Sequence, residues 1–433
     1  MDQFASGLVG TRSPYGVPTN SFDDRFCPGG SSSGSGPAVA AGLVSFALGT
    51  DTAGSGRVPA GTNGIVGIKP SLGKFSTTGV VPACYLLDCV SVFALKVKDG
   101  AFVAEIMDNK DKSDATWRPR NLSVVNRTFP DNCDAGKDGR DGGQQKTVPK
   151  FRFGMPSRQF LRFDGKVGGE RAATAMLSQM ELAAERMTQL GGEQVDIDYA
   201  PFEDIAASLY GGAFVAERYS GIRHFLEEGG RKKVVSEDGT LQVADVLADD
   251  RLLKVIRYVI AKAINFTAVD LFEDMARQTH LKARARMELE KIDVLVVPTA
   301  AYNYLIAEIQ EQEIKPNLTI IKSTEFLTRN ANLGRFTNFV NLMDMCGVSV
   351  PSGLITLDYS NTIDDDEGNV KVAARKKILA STGKESFQVP FGITLLAPSW
   401  NDTYLAGLAM AYETVNGVGP GPRGHGVVPY KQK

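Results

Sequence analysis

Short apolar runs punctuated by glycine and proline alternate along this chain with longer stretches of helical spacing. Residues 37–48 (PAVAAGLVSFAL) predict a short helix of small side chains leading into a buried strand, with Pro37 suited to an early helical position. Residues 58–70 and 79–95 carry further short apolar runs of the kind that form buried strands. Residues 169–190 have helical periodicity and stop at Gly191-Gly192, a C-terminal cap signal. A strand is expected over 194–199 (QVDIDY), helices over 202–226 and 241–291, and a buried strand over 293–298 (DVLVVP). A helix over 333–345 leads into the strand GVSVP, FGITLLAP within 387–398 is another strand, and 402–415 is a closing amphipathic helix. Apolar strands alternating with helices predict the α/β class, with one mixed central β-sheet covered by helices on both faces.

Two stretches break this rhythm. Residues 107–150 and 358–386 are polar, charged and, in the first case, glycine-rich, and are expected to be inserted surface loops. Residues 417–433 (GVGPGPRGHGVVPYKQK) read as a linker or disordered tail.

Composition narrows the function classes. With 48 basic against 50 acidic residues, bulk charge does not drive nucleic-acid binding. No window approaches the roughly 20 apolar residues of a membrane helix. The five cysteines (Cys27, Cys84, Cys89, Cys133, Cys346) form no CxxC pair, so neither a disulfide framework nor a metal site is indicated. The first residues lack a charged and apolar leader, and the expected compartment is the reducing cytoplasm. The sequons at Asn121, Asn126, Asn317 and Asn401 are then chance matches. The three histidines, His224, His280 and His425, fall in stretches that suit no catalytic role, so a hydrolase here needs another base.

The chemistry is concentrated in residues 28–70. One Gly/Ser-rich turn, Gly29–Gly36, and a second, Gly49–Arg57, flank the small-residue helix and strand. The first formally contains G-x-S-x-G at Gly30, Ser32 and Gly34, but the strand and histidine of a nucleophile elbow are missing. Glycine turns at a helix start also suit a phosphate cradle, although no Lys-Ser/Thr follows to complete a P-loop. Tight structural turns remain the third reading of either turn taken alone.

Taken together the two turns resemble the signature segment of the amidase signature family: GGSSSGS, a small-residue helix, GTDTAGSGRVPA and a closing GIKP. The resemblance implies the amidase-signature fold and a Ser-cisSer-Lys triad. Ser55 would be the acylating nucleophile. Ser31 would be the bridging serine, on a cis peptide and within roughly 2.6–3.2 Å of Ser55. Thr52, Ala53 and Gly54, with Ser55 itself, would offer backbone N–H groups to the oxyanion. The family's lysine precedes the first turn, whereas the first lysine here is Lys69, whose ordinary reading is a structural surface residue. The expectation is therefore one amidase domain over residues 1–416 that lacks its N-terminal part, with impaired catalysis and no lysine or histidine beside the two serines.

Within the family, DQFASGLVGTRSPYG, GVVPACYLLDCVSVFAL, LYGGAFVAERYSGI and LGRFTNFVNLMDMCGVSVPSG resemble the allophanate hydrolases. This implies a small anionic amide, allophanate, as substrate, with ammonia as product in urea breakdown. It assigns the substrate carboxylate to Tyr210 and Arg218, eight residues apart and expected on one face of one helix. Pairing of Arg218 with Glu217 or Glu227, and a core role for Tyr210, is the plainer alternative. No metal or organic cofactor is implied. A homodimer and a pathway link to a biotin-dependent urea carboxylase are. The competing functions are a non-catalytic remnant and the A-type component of a tRNA-dependent amidotransferase.

Overall fold

The computed structural model describes residues 1–119, 128–129, 150–161, 169–228, 243–314, 328–358 and 386–424. Eight strands form one sheet: β1 (Phe46–Asp51), β2 (Val66–Lys69), β3 (Cys89–Ala94), β4 (Phe151–Gly154), β5 (Gly192–Gln194), β6 (Val294–Pro298), β7 (Met345–Asp358) and β8 (Ser386–Pro398). Their spatial order is β1-β3-β2-β7-β8-β6-β4-β5. The pairs from β1 through β6 are antiparallel, and β6–β4 and β4–β5 are parallel. The sheet is mixed, as the alternation of apolar runs and helices predicts.

Successive residues of a strand face opposite sides of the sheet. At β2 this places helices on both faces. A side chain at Gly67 would collide with Ala60 of the Val58–Asn63 helix, whereas Ile68 meets Gly100 of the Val97–Met107 helix on the other side. The long Gly169–Gln189 helix and the closing Asp402–Asn416 helix match their expected spans and pack on β7.

Several expectations need correction. β1 is an edge strand, not a buried one: Phe46 and Leu48 remain 47% and 46% exposed. Its outer rim is instead capped by serines, with Ser35 Oγ donating to Leu48 O and Ser32 Oγ bonding both N and O of Thr50. Of the expected QVDIDY strand only Gln194 belongs to one, as the last residue of Gly192–Gln194, and residues 195–199 lead into the Ala200–Gly211 helix. The 202–226 helix is broken at Gly211-Gly212 into Ala200–Gly211 and Ala216–Glu228. The 241–291 stretch is likewise three helices, Val243–Ala248, Lys254–Ile264 and Ala268–Leu289, the last opened by a Thr267–Asp270 capping box.

Of the first polar stretch, residues 108–119 are anchored. Asp111 and Asp114 accept hydrogen bonds from the Ser76–Thr78 turn, and Arg118 pairs with Asp344. Phe129 is buried against Phe151 and Tyr404. The rest of it, nearly all of 358–386, Cys133, His425 and the end of the tail lie outside the described residues.

Candidate active site

The Gly49–Arg57 turn is built around one carboxylate. Asp51 ends β1 with its side chain wholly buried, and accepts from Gly54 N at 2.9 Å and Gly56 N at 3.1 Å. Arg57 Nε and Nη2 grip the same carboxylate at 2.8 and 2.9 Å. Burial pushes the Asp51 carboxyl up, but Arg57, Lys69 and the backbone donors more than offset this, and it stays below the ordinary aspartate range. Arg57 also donates to Thr337 O and Asn341 Oδ1, while Asn341 returns Nδ2 to Asp51 O and Leu87 O. Thr337 Oγ1 donates to Ala53 O at 2.6 Å. The loop from Thr52 to Ser55 is thus clamped from both ends and from beneath. Gly54 adopts φ +127°, and a Cβ there would collide with Thr337 Oγ1, so only glycine fits. The N–H of Gly54 is taken by Asp51. Those of Thr52, Ala53 and Ser55 meet no acceptor among the described residues.

The first turn lies beside this loop through the Ser32–Thr50 contacts. The Gly30–Ser31 peptide is cis. Asp2 N donates to Ser31 O and Gly30 N to Leu8 O, so residues 1–10 run directly over the turn. Ser31 and Ser55 are both buried. The Ser31 hydroxyl has no hydrogen-bond partner among the described residues, so the Ser31–Ser55 hydrogen bond is not formed, and no lysine or histidine contacts Ser31. Lys69 is not a surface residue. It is 1% exposed, and its Nζ donates at 2.8 Å to Pro70 O, just beyond β2, and to Met345 O at the start of β7. His224 and His280 lie on exposed positions of their helices.

Tyr210 and Arg218 sit on different helices, so helical spacing is not what unites them. The break at Gly211-Gly212 folds the second helix back, and Arg218 Nη2 donates to Tyr210 Oη at 2.8 Å with its guanidinium 4.7 Å from the ring centroid. Arg218 is 2% exposed and makes no ion pair among the described residues; Glu217 binds Leu86 N and Glu227 pairs with Arg223. Its remaining contacts are Ala5 O and Ser6 Oγ, and its Nε has no partner. Burial opposes its charge, but its surroundings more than offset this and it stays protonated. Burial pushes the Tyr210 hydroxyl up, so it stays neutral while it accepts from Arg218 Nη2.

Asp88 lies between these two groups. Its carboxylate receives Thr52 Oγ1 on one oxygen and the N–H groups of Ala83 and Cys84 on the other, at 2.7 and 3.1 Å. Asp51, Arg57, Asp88, Thr337 and Asn341 were not singled out from sequence. The first two are fixed letters of the GTDxxGSxR pattern, whereas Thr337 and Asn341 reach the turn only through the fold. The described residues hold no cluster of metal-ligating groups, and no described helix is long and apolar enough to cross a membrane. Cys27, Cys84, Cys89 and Cys346 are buried free thiols.

A family model described as Amidase matches residues 1–405, and the chain belongs to that family. It is 35% identical to the urea amidolyase of Saccharomyces cerevisiae over 353 residues, which is 82% of this chain but 16% of that protein. The selenomethionine-substituted allophanate hydrolase of Kluyveromyces lactis superimposes with a TM-score of 0.69 at 31% identity, covering 96% of this chain and 54% of that one. The A-type component of the glutamyl-tRNA(Gln) amidotransferase of Corynebacterium diphtheriae is 27% identical over 429 residues, 95% of this chain and 72% of the relative.

Proposed function

We propose that the chain carries an amide C–N hydrolase site that takes allophanate. Ser55 Oγ attacks the amide carbonyl and the C–N bond to the terminal nitrogen breaks. The nitrogen leaves as ammonia after taking up a proton, and water then cleaves the ester on Ser55 to give a dicarboxylated imide. Ser31 is the bridging serine through which the Ser55 proton passes to the departing nitrogen, and the proton of the attacking water returns to Ser55 by the same route. The N–H groups of Thr52, Ala53 and Ser55 serve the oxyanion. Gly54, expected in the same role, gives its N–H to Asp51 and serves by holding the loop. The base that the resemblance assigns to a lysine is not Lys69, whose ammonium is bound to two carbonyls.

The observation that carries the reading is Arg218. A buried guanidinium without a carboxylate partner is costly unless an anion completes it. Tyr210 Oη beside it and the free Nε form a fork suited to one carboxylate. The likeness to urea amidolyase supports a substrate supplied by carboxylation of urea, a reaction of the biotin-dependent class. The test is ammonia release from allophanate, with Ser55→Ala as control. Turnover that Ser55→Ala abolishes upholds the proposal. Turnover that survives it overturns the nucleophile, and release from glutamine but not allophanate favours the amidotransferase-like alternative.

A further inference from the structure

The reaction as proposed uses two separated groups, an anion-binding arginine and an oxyanion loop, and something must hold one in register with the other. The Pro82–Asp88 segment spans them. At one end Glu217, the neighbour of Arg218, accepts Leu86 N at 2.7 Å, and Gly221 of the same helix packs against Pro82 O. At the other, Asp88 binds Thr52, and its next residue, Cys89, pairs with Asp51 in the sheet. The Asp88 carboxylate uses one oxygen for Thr52 and the other for its own loop at Ala83 and Cys84.

We propose that Asp88 is a positioning residue that fixes Thr52 in the oxyanion loop, its carboxyl tying Thr52 Oγ1 to the N–H groups of Ala83 and Cys84. This rests on the role given above to Ser55. Releasing Thr52 loosens N–H groups that act only in the transition state, so it lowers kcat for any amide and leaves KM in place.

The experiment compares allophanate with biuret, its neutral amide counterpart, in the purified protein and in Asp88→Asn. The asparagine keeps one acceptor and can no longer serve both Thr52 and the loop. The expected result is a kcat lowered roughly tenfold or more on both substrates, with KM for each unchanged. Unchanged kcat, or a loss carried by KM, would overturn the proposal. Thr52→Val provides a second variant should Asp88→Asn fail to fold. It should reproduce the kcat loss with KM unaltered, and a normal kcat would count against the role. If the parent protein, whose Ser31 meets no lysine or histidine among the described residues, cleaves neither amide, hydrogen exchange at the Thr52, Ala53 and Ser55 amides decides Asp88 separately: faster exchange in Asp88→Asn supports it, and unchanged exchange rejects it.

Discussion

Asp51 and Arg57 form an ion pair with no exposed surface on either side chain, and the same carboxylate holds the N–H groups of Gly54 and Gly56. Every donor around that carboxylate is therefore also a support of the Thr52–Ser55 loop. Replacing Arg57 by methionine leaves Asp51 buried and unpaired, and strips Thr337 O and Asn341 Oδ1 of their donor. Loss of one partner of a buried pair costs about 3–5 kcal/mol. Arg57→Met should show that loss in denaturant unfolding, and a change below about 1 kcal/mol would show that the pair is dispensable.

Gly54 gives a sharper local test. Its backbone lies in the left-handed region, and a Cβ would run into Thr337 Oγ1. Gly54→Ala should cost about 1–3 kcal/mol and reduce turnover of any amide by at least about tenfold, because the loop must shift to admit the methyl. Melting temperature and ammonia release would be measured together. Wild-type turnover would show that the loop yields without harm.

The acid limb of stability should carry the signature of Asp51. Its folded pKa is depressed below the ordinary value of 3.8, so its contribution is present above that pH and is lost as pH falls through the folded value. Asp51→Asn removes the titration. The gap in melting temperature between parent and variant should be wide near about pH 7, begin to narrow below 3.8 and close as pH falls through the folded value. A constant gap would mean that Asp51 is not the ionised partner of Arg57.

How far this was legible in sequence varies with range. The two glycine-serine turns were readable because each demands particular residues at fixed local spacing, and the long helices because periodicity over 15 to 21 residues outweighs local noise. The β1 edge was not, since Phe46 and Leu48 are apolar in the manner of a buried strand and only the strand order exposes them. The resemblance singles out Tyr210 and Arg218 together, but the one helix expected to carry both is two. The Gly211-Gly212 pair in LYGGAF is a helix-stop signal of the same kind as Gly191-Gly192, and reading it so would have divided the helix. Asp88, Thr337 and Asn341 meet the loop from distant parts of the chain, and no local pattern marks them.

Arg218 offers the test of substrate class. Its guanidinium is buried, stacked on Tyr210 and without a carboxylate partner among the described residues. A carboxylate arriving there replaces lost hydration with a charge-assisted contact, whereas a neutral amide gains little. Arg218→Ala should raise KM for allophanate by roughly ten- to a hundredfold, about 1.4 kcal/mol for each factor of ten, and leave KM for biuret nearly unchanged. Arg218→Lys should fall between, since an ammonium restores the charge but not the planar fork over the ring. The measurement is steady-state ammonia release on both substrates for all three proteins. Equal losses on allophanate and biuret would mean that Arg218 only supports the fold around Ala5 and Ser6, and that the anionic end of the substrate is bound elsewhere.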